Sequence, residues 1–106
     1  METNFKILVL FYSFTGHTAK LAEYIAEGAK EIDGAEVVIK QVPELVPSEV
    51  FEKNPELQKS RESFADVPVA TLEDLTSADG VAFGTPVHFG SFASQLKQFI
   101  DQLSPI

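Results

Sequence analysis

A run of hydroxyl, glycine and histidine residues follows the first apolar stretch of the sequence. Its members are consecutive: Ser13, Phe14, Thr15, Gly16, His17 and Thr18. Backbone N–H groups at the start of a helix can converge on an anion, and side-chain hydroxyls add further donors. The run therefore predicts an anion site. The alternative is that Ser13 and Thr15 merely cap a helix.

This turn joins a predicted strand to a predicted helix. Lys6 to Tyr12 is almost continuously apolar, as expected of a strand that is covered on both faces. Gly34 is expected to end the helix, and Glu36 to Val42 is a second predicted strand, parallel to the first after a right-handed crossover. The apolar residues of the helix fall on one stripe: Leu21, Ala22, Ile25, Ala26, Ala29 and Ile32.

A second polar loop follows a third apolar strand, which is predicted over Gly80 to Gly84. A proline stiffens this loop, a glycine permits close approach of a ligand, and an aromatic residue and a histidine suit a flat ring. Ser91 is expected to cap a last helix that carries an apolar stripe. The loop residues singled out as a binding surface are Pro86, Val87, His88, Phe89 and Gly90.

These elements predict an α/β fold with a parallel sheet. If the strand order is 2-1-3, the switch point lies between strands one and three. The first turn and the second loop then leave the same edge of a parallel sheet, at the switch point where ligands of open α/β sheets bind. An anion cradle beside a surface for a flat ring indicates a phosphorylated, planar ligand.

A long excursion separates the second strand from the third. The segment from Pro43 to Pro68 contains four prolines, many charges and only scattered large apolar residues. Connections of this length are usually functional or disordered, so the segment is either a lid beside the site or a plain surface insert. Beyond it, Thr71 is predicted to cap a short helix.

Length and composition limit the function classes. A chain of 106 residues predicts a single domain, 1–106. The net charge of −8 argues against nucleic acid as a partner, because phosphates would be repelled. No run approaches the roughly 18 apolar residues of a membrane span. The absence of cysteine excludes disulfides and thiolate chemistry and fits a cytoplasmic protein.

Other ligand motifs fit the loops less well. A Walker A loop would need a lysine where His17 stands, and a dinucleotide-binding turn would need two more glycines beside Gly16. A phospho-receiver would carry acidic residues where Ser13 and Thr85 stand. His17 and His88 have no carboxylate or cysteine in their loops, so no metal site is predicted.

Several short motifs together resemble the flavodoxin-like FMN proteins, and in particular the WrbA-type NAD(P)H:quinone oxidoreductases. The run from Ser13 to Thr18 is similar to the phosphate loop of FMN proteins. The likeness covers essentially the whole chain, including the excursion. The motifs that carry the likeness to the WrbA type are Ala26-Glu27-Gly28-Ala29, Gly34-Ala35-Glu36-Val37, Phe51-Glu52-Lys53, Phe83-Gly84-Thr85-Pro86, Phe89-Gly90 and Phe99-Ile100-Asp101-Gln102.

The resemblance implies a flavodoxin-like α/β/α fold of three layers, with strand order 2-1-3 in a parallel sheet. FMN would lie at the switch point between strands one and three, its established position in flavodoxin. The first turn would wrap the FMN phosphate, with His17 beside it, and residues 86–90 would lie against the isoalloxazine ring. NAD(P)H would reduce the flavin, and a quinone would accept two electrons. Val87-His88 replaces the usual Thr-Arg of the family, so positive charge near the ring depends on protonation of His88. No catalytic residue is assigned.

The resemblance also implies an incomplete domain that lacks the last two strands of the family fold. Strand three would then be an apolar edge, so we expect a homo-oligomer or completion by a second chain. The alternative function is a non-catalytic half-domain that self-associates or complements another chain and binds FMN weakly or not at all.

Overall fold

The computed structural model describes residues 4–88 and 90–103. Three strands form a parallel sheet, two very short strands form a hairpin, and helices cover both faces of the sheet. In chain order the elements are β1 (Phe5–Phe11), α1 (His17–Lys30), β2 (Ala35–Gln41), α2 (Ser48–Glu52), α3 (Pro55–Glu62), α4 (Leu72–Thr76), β3 (Gly80–Gly84), β4 (Val87–His88), β5 (Ser91–Phe92) and α5 (Ser94–Asp101).

The sheet has the order β2-β1-β3, which confirms the predicted topology. β1 is parallel to both neighbours. Phe11, its last residue, is in register with Gln41 of β2 and with Gly84 of β3. All three strands therefore end at one edge of the sheet, and the first turn and the second loop leave from adjacent strands.

The alternating side chains of β1, and of Tyr12 directly after it, separate two hydrophobic cores. Leu8, Leu10 and Tyr12 point to one face, where α4 and α5 pack against them. Val9 and Phe11 point to the opposite face, where α1 and the end of the excursion cover them. All five residues are buried, so β1 is the central strand of a flavodoxin-like arrangement with three layers.

The face that α1 presents to the sheet differs from the predicted stripe. Alanines make the contact, because their small side chains allow the helix to lie close to the strands; the buried ones are Ala19, Ala22 and Ala26. Leu21 and Ile25, which were expected in the core, are 61% and 51% exposed. They line a cavity beside β3 together with Phe83, whose side chain is itself 51% exposed.

The end of α1 also differs from the prediction. The helix ends at Lys30 and its C-cap residue is Glu31, so Gly34 lies beyond the cap. Gly34 has a φ of 84° in the turn that precedes β2, and its carbonyl oxygen accepts a hydrogen bond from the N–H of Phe5 at 2.9 Å. This glycine therefore shapes the entry to the strand rather than the end of the helix.

The caps of the two later helices illustrate one correct and one wrong prediction. Thr71 caps α4 as expected, in a reciprocal arrangement in which its hydroxyl oxygen accepts from the N–H of Asp74 and the Asp74 carboxylate accepts from the N–H of Thr71. Ser91 does not cap α5. It pairs with His88 in the β4–β5 hairpin, and the cap position of α5 is Ala93.

No helix within the described residues is long and apolar enough to cross a membrane.

Candidate functional site

The first turn leaves the start of α1 without a side-chain cap. The N-cap residue is Gly16, and among the described residues no side chain accepts a hydrogen bond from the first turn of the helix. The Ser13 hydroxyl oxygen instead accepts from the N–H of Gly16 at 3.1 Å, and the Thr15 hydroxyl lies 2.9 Å from Nδ1 of His17. The capping alternative is therefore wrong. The first N–H groups of α1, which have no partner within the helix, are available to an anion.

Gly16 is required by the shape of the turn. Its φ is 104° and its ψ is −13°, a left-handed conformation that other residues rarely adopt. A methyl group at this position would also lie 3.2 Å from the carbonyl oxygen of Ser60 and 3.6 Å from the Ser63 hydroxyl. The end of α3 therefore packs directly against the turn. The excursion borders the predicted site.

The other members of the first turn differ in exposure. Ser13 is buried, Phe14 and Thr18 are half-buried, and Thr15 and His17 are exposed. A methyl group at Gly84 would lie 3.2 Å from Cγ2 of Thr18, so the start of α1 packs over the end of β3. The structure thus brings the predicted turn residues to the strand end from which the second loop begins.

The second loop is a small hairpin. Val87 pairs with Phe92, and His88 pairs with Ser91. The Thr85 hydroxyl anchors the hairpin, because it donates to the carbonyl of Pro86 at 2.9 Å and accepts from the N–H of Ala93 at 2.9 Å.

Three of the predicted binding residues of this loop face outward, and Pro86 is half-buried. Val87 is 75% exposed, and His88 is also exposed. Gly90 is exposed and has a φ of 81°. Phe89 lies outside the described residues. The hairpin therefore presents an open surface of mixed apolar and polar character beside the strand end.

The two loops are joined through Tyr12. Its N–H donates to the carbonyl of Gly84 at 3.0 Å, which extends the β1–β3 pairing by one residue. The rings of Tyr12 and His88 meet edge to face with their centroids 6.4 Å apart. The first turn begins directly after Tyr12, so the two candidate surfaces are neighbours at the switch point.

A polar network beneath the first turn was missed by sequence reasoning. Its centre is the carboxylate of Glu44, which accepts from the hydroxyl of Tyr12 at 2.8 Å and from Nε2 of Gln95 at 3.0 Å. It also accepts from the backbone N–H groups of Leu45 and Val46. Burial and the adjacent Glu44 carboxylate raise the pKa of Tyr12 far above its ordinary value, so the phenol stays neutral.

Arg61 connects this network to the turn. One guanidinium nitrogen, Nη2, donates to Glu44 at 2.8 Å, and the other, Nη1, donates to the carbonyls of Ser13 and Phe14 at 2.9 and 2.8 Å. The sequence offers one signal for this residue, because Arg61 is its only arginine. Its partners could not be found in the sequence, because they lie 17 to 48 residues away.

Each lysine that borders the first turn shares its cavity with a glutamate of opposite charge. Lys20 lines a shallow cavity with Gly16, and Glu23 lines the same cavity. Lys59 borders Thr15 and Gly16 together with Glu56. Attraction of an anion to this turn would therefore depend mainly on backbone donors and on the helix end. Within residues 4–88 and 90–103, no three histidine or acidic side chains are grouped to hold a metal ion.

Comparison with known proteins identifies the family. A family model described as NADPH-dependent FMN reductase matches residues 5–105, almost the whole chain. The chain belongs to this family. Curated relatives of the chain carry the name NAD(P)H dehydrogenase (quinone). The relative from Archaeoglobus fulgidus is 51% identical over 96 residues, which are 91% of this chain and 50% of that protein. The relative from Aromatoleum aromaticum is 47% identical over 97 residues, 92% of this chain and 46% of that protein.

The third relative, from Geobacter metallireducens, is 43% identical over 96 residues, 91% of this chain and 47% of that protein. The chain thus spans about half the length of the curated relatives that it matches.

The geometry of the first turn fits the phosphate of the flavin that the FMN reductase family is named for. The open end of α1 supplies N–H donors, and the left-handed Gly16 removes the side chain that would otherwise crowd the turn. In FMN the phosphate and the flat ring lie at opposite ends of a short chain. The hairpin beside the turn is placed where a ring could lie.

Proposed function

We propose that this chain supplies the phosphate loop and one wall of the flavin site in an FMN-dependent NAD(P)H:quinone oxidoreductase of the WrbA type. The observation that carries the proposal is the uncapped N-terminus of α1 at the junction of β1 and β3, with the β4–β5 hairpin beside it. The names of the three relatives support the choice of NAD(P)H and a quinone as substrates.

The residues of the first turn would hold the phosphate. Backbone N–H groups at the start of α1 point toward the open end of the helix, and the exposed Thr15 and His17 can contribute side-chain donors. The buried Ser13 would shape the turn through its bond from Gly16. The six residues proposed for the phosphate are Ser13, Phe14, Thr15, Gly16, His17 and Thr18.

The hairpin would support the ring. Thr85 fixes the start of the hairpin by two hydrogen bonds, so the surface is pre-shaped before a ligand arrives. FMN, when bound, would supply the redox chemistry that passes two electrons from NAD(P)H to a quinone. The residues proposed for the ring are Pro86, Val87, His88, Phe89 and Gly90.

Three further features belong to the same proposal. The 106 residues would form part of a single flavodoxin-like domain. A cytoplasmic location is consistent with the absence of cysteine and with the nicotinamide substrates. The assembled protein would be a homo-oligomer or would be completed by another chain.

A second candidate function is a half-domain without catalytic activity that assembles with a copy of itself or with another chain. The observation that favours it is the apolar surface formed by Leu21, Ile25 and Phe83, which are all at least half exposed beside β3. Within the described residues, β3 pairs with β1 on one side only. Exposed apolar strands of this kind favour association.

Flavin titration separates the two candidates. FMN fluorescence is followed while protein is added, and riboflavin, which lacks the phosphate, serves as the matched control ligand. The proposed function predicts saturable quenching at micromolar FMN, a weaker response to riboflavin, and bleaching of the bound flavin by NAD(P)H that a quinone reverses. Absence of quenching at high micromolar FMN, together with a concentration-dependent increase in particle size, would favour the half-domain.

A further inference from the structure

Arg61 holds two consecutive carbonyl groups of the first turn. Nη1 of Arg61 donates to the carbonyl oxygen of Ser13 at 2.9 Å and to that of Phe14 at 2.8 Å. Hydrogen bonds from a charged donor are roughly twice as strong as bonds between neutral groups. One side chain of the excursion therefore fixes the orientation of two successive peptide units.

The orientation of these peptide units decides where their donors point. In a trans peptide the C=O of one residue and the N–H of the next point in opposite directions, and the described part of the chain contains no cis peptide bond. The carbonyls of Ser13 and Phe14 turn toward Arg61, so the N–H groups of Phe14 and Thr15 turn away from it. Among residues 4–88 and 90–103, neither of these two N–H groups donates to another protein group.

The guanidinium is itself held firmly. Nη2 donates to the carboxylate of Glu44 at 2.8 Å, and the side chain of Arg61 is only 16% exposed. The guanidinium carbon lies 4.2 Å from the centroid of the Phe51 ring and 5.2 Å from that of Phe64. A planar group that is packed against two aromatic rings and bonded to a carboxylate loses little further freedom when it bonds the turn.

Glu44 cancels the charge of Arg61 and is in turn fixed by Tyr12, Gln95 and two backbone N–H groups. The pair therefore adds little net positive charge to the site. Its effect on an anion would be geometric: it keeps carbonyl oxygens away from the ligand and donors toward it.

We propose that Arg61 is a positioning residue for the phosphate loop, which orients the N–H groups of Phe14 and Thr15 toward the phosphate of the flavin. This inference rests on the proposed function, because it takes the ligand to be FMN. It gives the excursion a role: α2 and α3 carry the aromatic ring and the arginine that hold the turn in its binding shape.

The test compares FMN with riboflavin in three variants of the full chain. Arg61→Gln removes the charge and most of the donors, and Arg61→Lys keeps the charge but replaces the planar fork with a single point of donation. Lys53→Gln is the matched control, because it removes one positive charge from an exposed residue of the same excursion. Circular dichroism and urea midpoints verify that each variant is folded.

We expect Arg61→Gln and Arg61→Lys each to weaken FMN binding by at least about tenfold, since each loses oriented bonds to the turn. Riboflavin affinity should stay within about twofold of the wild-type value, and Lys53→Gln should bind both ligands as the wild type does. Backbone order parameters from NMR of the ligand-free protein should fall at residues 13–16 in both Arg61 variants.

Each contrary outcome has a distinct meaning. Full FMN affinity in Arg61→Lys would show that charge and not orientation matters, and would overturn the inference. Equal losses for FMN and riboflavin would show a general structural role and would also overturn it. Wild-type protein that binds neither ligand would refute the proposed function. The order parameters of residues 13–16 would then still decide whether Arg61 fixes the turn.

Discussion

Replacement of Gly16 by alanine tests the shape of the first turn. The backbone at Gly16 has a φ of 104°, and a residue with a side chain in a left-handed conformation costs about 1 to 2 kcal/mol. The added methyl group would also stand 3.2 Å from the carbonyl oxygen of Ser60, so that α3 must shift by a few tenths of an ångström or the turn must open. If the turn keeps its shape, we expect Gly16→Ala to lose about 1 to 2 kcal/mol of unfolding free energy. If the turn instead adopts another shape, FMN affinity should fall by about 5-fold to 30-fold.

The assay pairs urea denaturation, followed by circular dichroism, with flavin titration. Gly28→Ala is the matched control. Gly28 lies inside α1. In the part of the chain that the structure describes, no atom outside its own helix backbone and chain neighbours lies within 4 Å of the position of an added methyl group. The same chemical change should there stabilise the protein by about 0.5 to 1 kcal/mol and leave FMN affinity unaltered. If Gly16→Ala matched the wild type in both stability and FMN affinity, the described shape of the turn would be wrong.

Three further predictions concern a helix cap, the pKa of Asp74 and the polar network around Tyr12. Thr71→Ala removes the hydroxyl that accepts from the N–H of Asp74, so it should cost about 1 kcal/mol in urea denaturation, and Thr71→Ser should restore most of that loss. The backbone N–H of Thr71 holds the pKa of Asp74 below its usual value. The contribution of Asp74 to the free energy of unfolding is therefore present above about pH 4 and is lost as the pH falls through its folded-state pKa. Asp74→Asn should flatten this dependence of stability on acid pH. In a Tyr24→Phe variant, where Tyr12 is the remaining tyrosine, ultraviolet absorbance should show no ionisation near pH 10 while the protein is folded, since burial and Glu44 raise the pKa of Tyr12. Stability should then fall as the pH rises above about 10, and a phenol that ionises normally before unfolding would contradict the buried network.

The sheet could be predicted from the sequence because its signals are local. Continuous apolar runs marked β1 and β3, and the short connection through α1 required β2 to be parallel to β1. Thr71 could be assigned as a cap because Asp74, the acidic residue that completes the reciprocal hydrogen bonds, lies three positions away.

The surroundings of the site could not be predicted because they depend on distant residues. Arg61 bonds the carbonyl of Ser13 across 48 positions of sequence, and Gln95 reaches Tyr12 across 83. Ser91 had the residue type of a helix cap, yet pairing with His88 placed it in a strand. In each case a contact that forms in the folded chain determined where the residue lies. The spacing of residues within a short stretch of sequence does not reveal such contacts.

Backbone amide NMR of the chain during titration with FMN, and separately with riboflavin, tests the central claim most directly. The account predicts that FMN shifts the amide resonances of residues 14–18 and those of the hairpin around Val87 and His88. Riboflavin should shift the hairpin resonances and leave the first turn nearly unchanged. Shifts confined to other surfaces, or a first turn that responds equally to both flavins, would contradict the assignment of this turn to the phosphate.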